Sequence, residues 1–206
     1  TDTLSGSFQS AMSAKQILEE NYTQRKIYIE NSYAATGSQY LIVREAARMQ
    51  QSGYDIDAIH SFVQKAKIDS RIFFVVGTLT HLEKGGRIGK VAALSGSILN
   101  IKPLIVLANG EINKAGLARS RKKAMLKLSE LTKNYITQNH FSISDFTFTI
   151  GTTNTPEEIP TFTEILKSDL PDMEMIEPFQ IGATIATHTG PMTLGVCMNK
   201  KFECYL

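Results

Sequence analysis

Helical and strand periodicities take turns along most of this chain, and such alternation restricts it to α/β architecture. The clearest strand is RIFFVVGTL, beginning at Arg71, an apolar and β-branched run of the kind that a sheet buries on both faces. IKPLIVL predicts another strand. Asn109-Gly110 is a strong turn signal just after it, so residues 101–116 read as a hairpin. DFTFTIG alternates like a half-buried strand, MEMIEPF and TLGVCMN supply two more, and KIYIE at 26–30 reads as a short one.

Helices are expected between them. Phe8, Met12 and Leu18 mark one after Ser5-Gly6-Ser7, and residues 37–51 space Leu41, Ala46 and Met49 helically. After Gly53, with Asp55 as N-cap, Ile56, Ile59, Phe62 and Val63 form one stripe. Arg119 to Ile136 puts Ala124, Leu128, Leu131 and Tyr135 on one face, and Thr155-Pro156-Glu157-Glu158 is a helix-start signature. A domain boundary is expected near Ile68 to Ser70, giving one unit over 1–68 and a second over 69–206.

At 206 residues, with 42% hydrophobic and 20% charged, the chain has enough apolar material for a core, which excludes disorder. Twenty-two basic against twenty acidic residues give a net charge of +2, too balanced for a generic nucleic-acid binder. No apolar run approaches the roughly eighteen residues of a membrane helix, and residues 1–20 lack the unbroken apolar core of a signal peptide. Cys197 and Cys204 cannot make a disulfide framework, so two reduced thiols in a cytoplasmic protein are expected. On one regular strand their separation would point them to opposite faces.

Charge is unevenly spread. From Lys84 to Lys127 there are ten basic residues and one acid, Glu111; from Glu157 to Glu177 there are seven acids and one base, Lys167. Two solvated faces of a dipolar domain account for this as well as a cationic surface for an anionic ligand, partner or membrane does. Arg119, Arg121, Lys122 and Lys123 sharpen the question, because cations at a helix start are disfavoured by about 0.3–1 kcal/mol. Helix stability does not explain them, whereas an anionic partner or headgroup layer does.

Three motifs can carry chemistry. Gly85-Gly86-Arg87-Ile88-Gly89-Lys90 frees backbone N–H groups beside a guanidinium fork suited to a carboxylate or phosphate. It is not a P-loop: Gly85 and Gly89 stand one residue too close, and Val91 follows Lys90. Taken by itself, the cluster is more simply a helix C-cap and turn between two elements. Leu4-Ser5-Gly6-Ser7 precedes a helix whose N-terminus favours an anion, although Ser-Gly-Ser is also an ordinary cap. Thr187-His188-Thr189-Gly190-Pro191 follows the apolar stretch Ile181 to Ile185, and His188 can donate to a carboxylate, act as a general base or be purely structural. His60, His81 and His140 show no metal-ligand spacing, and there is no Gly-x-Ser-x-Gly elbow.

Together the stretches LSGSFQSA, THLEKGGRIGKVAALSGSILNIKPLIVLANGEI, ARSRKKA and IGATIATHTGPMTLGV resemble the DegV family of bacterial fatty-acid-binding proteins. The resemblance implies two α/β domains, the second a mixed sheet flanked by helices, with one long-chain fatty acid held between them as ligand and no cofactor. It also implies a separate fatty acid kinase as partner, which converts the presented acid to an acyl phosphate. By the same resemblance, Ser5, Gly6 and Ser7 form the carboxylate-binding motif, Arg87 stands at the polar end, and His188 and Thr189 join the carboxylate network. The family usually has Thr where Ser7 stands, and glycines where Ala186 and Met192 stand. Its opening strand and Thr-Ser-x-Pro loop have no counterpart here, so a first domain cut short is expected, in a monomer.

The residues themselves fit such a ligand. A fatty acid needs an apolar slot and one polar end, since a buried unpaired charge is very costly. Each buried methylene contributes roughly 0.8 kcal/mol, and VAALSGSIL is small enough for a tail to pass. Two other readings remain open at this level: a hydrolase or acyltransferase using Ser5 and His188, and an interaction module using the surface from Arg119 to Lys123.

Overall fold

A computed structural model of the chain describes residues 1–94 and 101–206. The Ser95–Asn100 part of VAALSGSILN lies outside the described residues. The fold is α/β, built on a mixed seven-stranded sheet in the order β3-β2-β1-β7-β4-β5, with β6 also pairing β4. Its centre is β1 (Arg71–Val75), flanked antiparallel by β2 (Lys102–Ala108) and β7 (Leu194–Lys200). β3 (Glu111–Ala118) closes the hairpin with β2, and a two-residue Asn109-Gly110 turn with positive φ at both positions joins them, as the dipeptide predicts. On the other side β4 (Phe146–Thr152) runs antiparallel to β7, and two short parallel strands, β5 (Glu174–Met175) and β6 (Phe179–Gln180), lie along it.

Alternation sends successive side chains to opposite faces of this sheet. Phe73 and Val75, with Phe146, Phe148 and Ile150, face α5 (Arg121–Gln138) and α6 (Ile159–Asp169), where Leu128, Phe162 and Leu166 complete a dry core. The expected stripe on α5 is in place: Ala124 and Leu128 are fully buried, and Leu131 and Tyr135 pack beside them. Ile72 and Phe74 face the other way, toward α4 (Thr80–Lys84) and the start of α2 (Thr36–Gln51).

α2 lies over β7 and β4, and α3 (Ile56–Asp69) packs beside it around Met49, Phe62 and Ala66. Asp55 caps α3, accepting the Ala58 N–H at 2.8 Å. The carboxy-terminal turn Phe202–Tyr205 is clipped to the same pair. Buried Glu45 receives the Phe202 N–H and both Arg44 and Arg48, while Arg48 also binds Glu203.

Four features differ from expectation. KIYIE forms no strand, because among the described residues no strand offers it a ladder. Side chains hold the segment to α3 instead: Lys26 and Tyr28 bond Asp57, Tyr28 stacks on His60 at 3.9 Å, and Glu30 takes His60 and Lys67. MEMIEPF splits into β5 and β6 around Glu177-Pro178, where proline cannot donate to a ladder. The helix after Ser5-Gly6-Ser7 is present as α1 (Ser7–Asn21), yet it buries no residue, and Met12 and Leu18 stay exposed. Cys204 lies in the terminal turn rather than on the strand of Cys197, so the two thiols share no strand.

Candidate functional site

On the face of the sheet opposite α5 and α6, the side chains stop short of filling the space beneath α4 and α7 (Ala183–Thr189). They leave a cavity of about 90 Å³, set within about 690 Å³ of atom-free space that includes its mouth. Ile72, Phe74, Leu107 and Ile112 form one wall, and Leu82 and Ile185 form another. Gly151, Gly195 and Cys197 keep the sheet low at its floor. Leu4, Ala35 and Thr36 enter from the amino-terminal side of the expected Ile68–Ser70 boundary. Arg87, His188, Thr189 and Thr193 supply polar groups.

Arg87 is placed by the way α4 ends. Gly86 adopts φ +68, Gly86 N–H bonds the Glu83 carbonyl at 3.0 Å, and Arg87 N–H bonds the Leu82 carbonyl at 2.9 Å. This is a Schellman ending, so the glycine pair is a helix cap and also the device that aims the arginine. Arg87 Nε then donates to the Leu4 carbonyl at 3.0 Å and one Nη to the Gly85 carbonyl at 2.7 Å. The guanidinium thereby ties the residue next to Ser5 to the cavity mouth.

His188 is placed by close packing between two helix ends. A Cβ on Gly85 would overlap His188 Nδ1, so the ring rests directly on that glycine. The exchange is mutual: the His81 ring of α4 covers Gly190 after α7, where a Cβ would lie 2.6 Å from it. Gly190 itself needs φ +83. Buried His188 Nδ1 has no hydrogen-bond partner among the described residues. The His188 side chain also lines the apolar cavity.

Threonines fix the turn that follows. Thr193 Oγ1 donates to the Thr189 and Gly190 carbonyls at 3.1 Å, and Thr153 Oγ1 donates to the Gly190 carbonyl at 2.9 Å. The Thr193 N–H returns a bond to Thr153 Oγ1. Thr189, an expected ligand contact, is buried, and its hydroxyl donates to the Ile185 carbonyl at 3.2 Å. Cys197 on the floor has its thiol pushed up to about 12 by burial, so it behaves as an apolar group.

The structure therefore brings Arg87, His188 and Thr189 to one cavity, with Leu4 beside them. Ser5, Gly6 and Ser7 sit one step out, exposed at the head of α1. Ser5 Oγ accepts the Ser7 N–H at 3.2 Å and pairs with Ser7 Oγ at 2.9 Å. Of the basic run, Arg119, Lys122 and Lys123 are exposed. Arg121 is not free: its fork grips Glu158 (2.9 and 2.5 Å) and donates to the Met192 carbonyl at 2.8 Å, locking α5 to the turn before α6. Sequence reasoning missed His81, Thr153 and Thr193. Among the described residues no group of three His, Cys, Asp or Glu side chains could hold a metal ion, and no helix is long and apolar enough to cross a membrane.

A mixed sheet with one face packed as core and the other flooring an apolar cavity that Arg87 and His188 border defines an α/β protein with a candidate ligand slot. Residues 1–201 match the family described as "Uncharacterised protein, DegV family", and the chain belongs to the DegV family. A DegV domain-containing protein of Clostridium perfringens is 34% identical over 198 residues, which are 95% of this chain and 66% of that protein. The chain thus spans just under two thirds of that relative's length. A stearic acid-binding protein from Eubacterium ventriosum is 32% identical with a TM-score of 0.91, over 99% of this chain and 69% of that one. A fatty-acid-binding DegV family protein from Thermus thermophilus is 27% identical with a TM-score of 0.84, over 97% and 68%.

Proposed function

We propose that this chain forms the slot of a cytoplasmic fatty-acid carrier. It holds a long-chain fatty acid between residues 1–68 and 69–206 and presents the carboxylate to a fatty acid kinase. The observation that carries the reading is the buried, unpartnered His188 Nδ1 at the edge of an otherwise apolar cavity. A carboxylate placed there would take a hydrogen bond from His188 and reach the Arg87 edge. Ser5 and Ser7 hydroxyls, with the first N–H groups of α1, would close over it. Burial of the tail supplies most of the affinity and the polar mouth sets direction. The relatives named above for binding fatty acids support this ligand class, and the motif resemblance supports the kinase. Arg119, Lys122 and Lys123 would face that partner, with transient contact at an anionic membrane surface as a further use of the same charge.

The hydrolase or acyltransferase reading has less support. A serine nucleophile needs a base in hydrogen-bond reach, and Ser5 Oγ is engaged with Ser7 instead of His188. Mass spectrometry of lipid extracted from the purified protein tests the carrier reading, with a stoichiometric long-chain fatty acid expected. Protein that carries none, and takes up none when offered palmitate or oleate, overturns it. Turnover of acyl esters or acyl phosphates would favour the enzyme.

A further inference from the structure

A second cavity, of about 530 Å³, lies against the first, and the two share Thr36 and Ile185 as walls. Around α7, Ile181 and His188 line only the first cavity, Gly182 only the second, and Ile185 both, so the two cavities are neighbours at this helix.

Phe179 stands at this junction. On β6 it pairs in register with Gly151 of β4, and its ring lies over that glycine: a Cβ on Gly151 would come within 2.6 Å of the ring. The tip of the ring also meets α2, where a Cβ on Gly37 would likewise come within 2.6 Å. Gly151 belongs to the first cavity, while Gly37 and Phe179 belong to the second. The phenyl ring is thus wedged between sheet and helix at two positions that only glycine leaves open. It is carried by a two-residue edge strand, a lightly anchored support.

Resting on the fatty-acid reading above, we infer that Phe179 is the stop that divides the slot from the second cavity. It sets the longest acyl chain accepted, and the second cavity is space that the ring withholds. Removing the ring would join the two cavities and admit longer tails. Ile185 shapes the passage from the side but, lining both cavities, cannot close it alone.

The test uses the purified chain stripped of lipid and titrated with saturated fatty acids from about 12 to 22 carbons. In the parent, affinity should rise about fourfold per methylene until the tail meets the stop, then level off or fall. In Phe179→Ala the rise should continue for at least about two further carbons, improving affinity for acids just past the parent's limit by about tenfold or more. Phe179→Leu, which keeps an apolar side chain on β6, should move the limit the same way by less, and it decides the matter if the alanine variant does not fold. An unchanged limit in a folded variant overturns the stop while leaving the carrier reading intact. A parent that binds no fatty acid of any length overturns both.

Discussion

Arg121 shows how a single side chain can be misjudged from its neighbours in sequence. Within a basic run it reads as a surface cation, yet its fork is held by Glu158, thirty-seven positions away. Burial alone would raise the Glu158 carboxyl, but hydrogen bonds from Arg121 and Thr155 outweigh this and hold it below the usual glutamate range. A folded pKa below the unfolded one means that the unfolded state binds more protons as the medium turns acid. The stabilisation is fully present above the ordinary glutamate value and is lost as pH falls through the folded one. Glu158→Gln should therefore cost about 1–3 kcal/mol near neutrality and progressively less as the pH falls below the ordinary glutamate value, as read by denaturant melts across that range. Parallel stability curves for parent and variant would show that the pair contributes nothing. Arg87 and His188 were singled out because each stands in a run of motif residues adjacent in the chain. His81 and Thr153 were not, since each acts on a partner far along it, and Thr193 was not, since it lies beyond the motif that it braces.

Pairs of elements show the same division. Strands with an internal signature were readable: β1, the β2–β3 hairpin with its Asn109-Gly110 turn, β4 and β7. KIYIE carried a strand composition without a partner strand, and only the partner decides whether such a segment joins a sheet. The helix ends α4 and α7 exchange histidines over each other's glycines, a relation that no local pattern announces. It also makes a clean test. Gly85 has a right-handed helical φ of −78°, so alanine suits its backbone, and the main consequence of Gly85→Ala is displacement of His188. Fatty-acid affinity should fall about tenfold with little change in melting temperature. Gly86→Ala is the counterpart: its φ is positive and nothing lies within 4 Å, so it should cost about 1 kcal/mol of stability with affinity nearly unchanged. If Gly85→Ala binds as tightly as the parent, His188 does not hold the carboxylate.

Across the whole molecule the sheet separates two tasks. Its α5–α6 face is dry core, and its other face floors the slot, so a change on the outside of α5 is screened from the slot by the full thickness of the sheet. The two faces meet at one edge. Arg121, at the head of α5, bonds the Met192 carbonyl, four residues past His188, so the head of α5 adjoins the turn that follows α7. The basic run was visible in the sequence, but this long-range contact was not. Ser120 caps α5 by accepting the Lys123 N–H at 3.2 Å, so the helix start is secured through a side chain other than the lysines' own. Lys122 and Lys123 are exposed, and carboxylates near a helix N-terminus are favourable by about 0.3–1 kcal/mol. Reversing both to Glu should therefore leave the melting temperature unchanged or raise it by a few degrees at most. Bound fatty acid should stay the same, since the slot lies across the sheet. Coupled acyl-phosphate formation with the kinase should fall several-fold and lose most of its dependence on ionic strength, because screening acts on the attraction that the lysines provide. Equal coupling by parent and double variant at low salt would mean that the run is a solvated face and that the partner docks elsewhere.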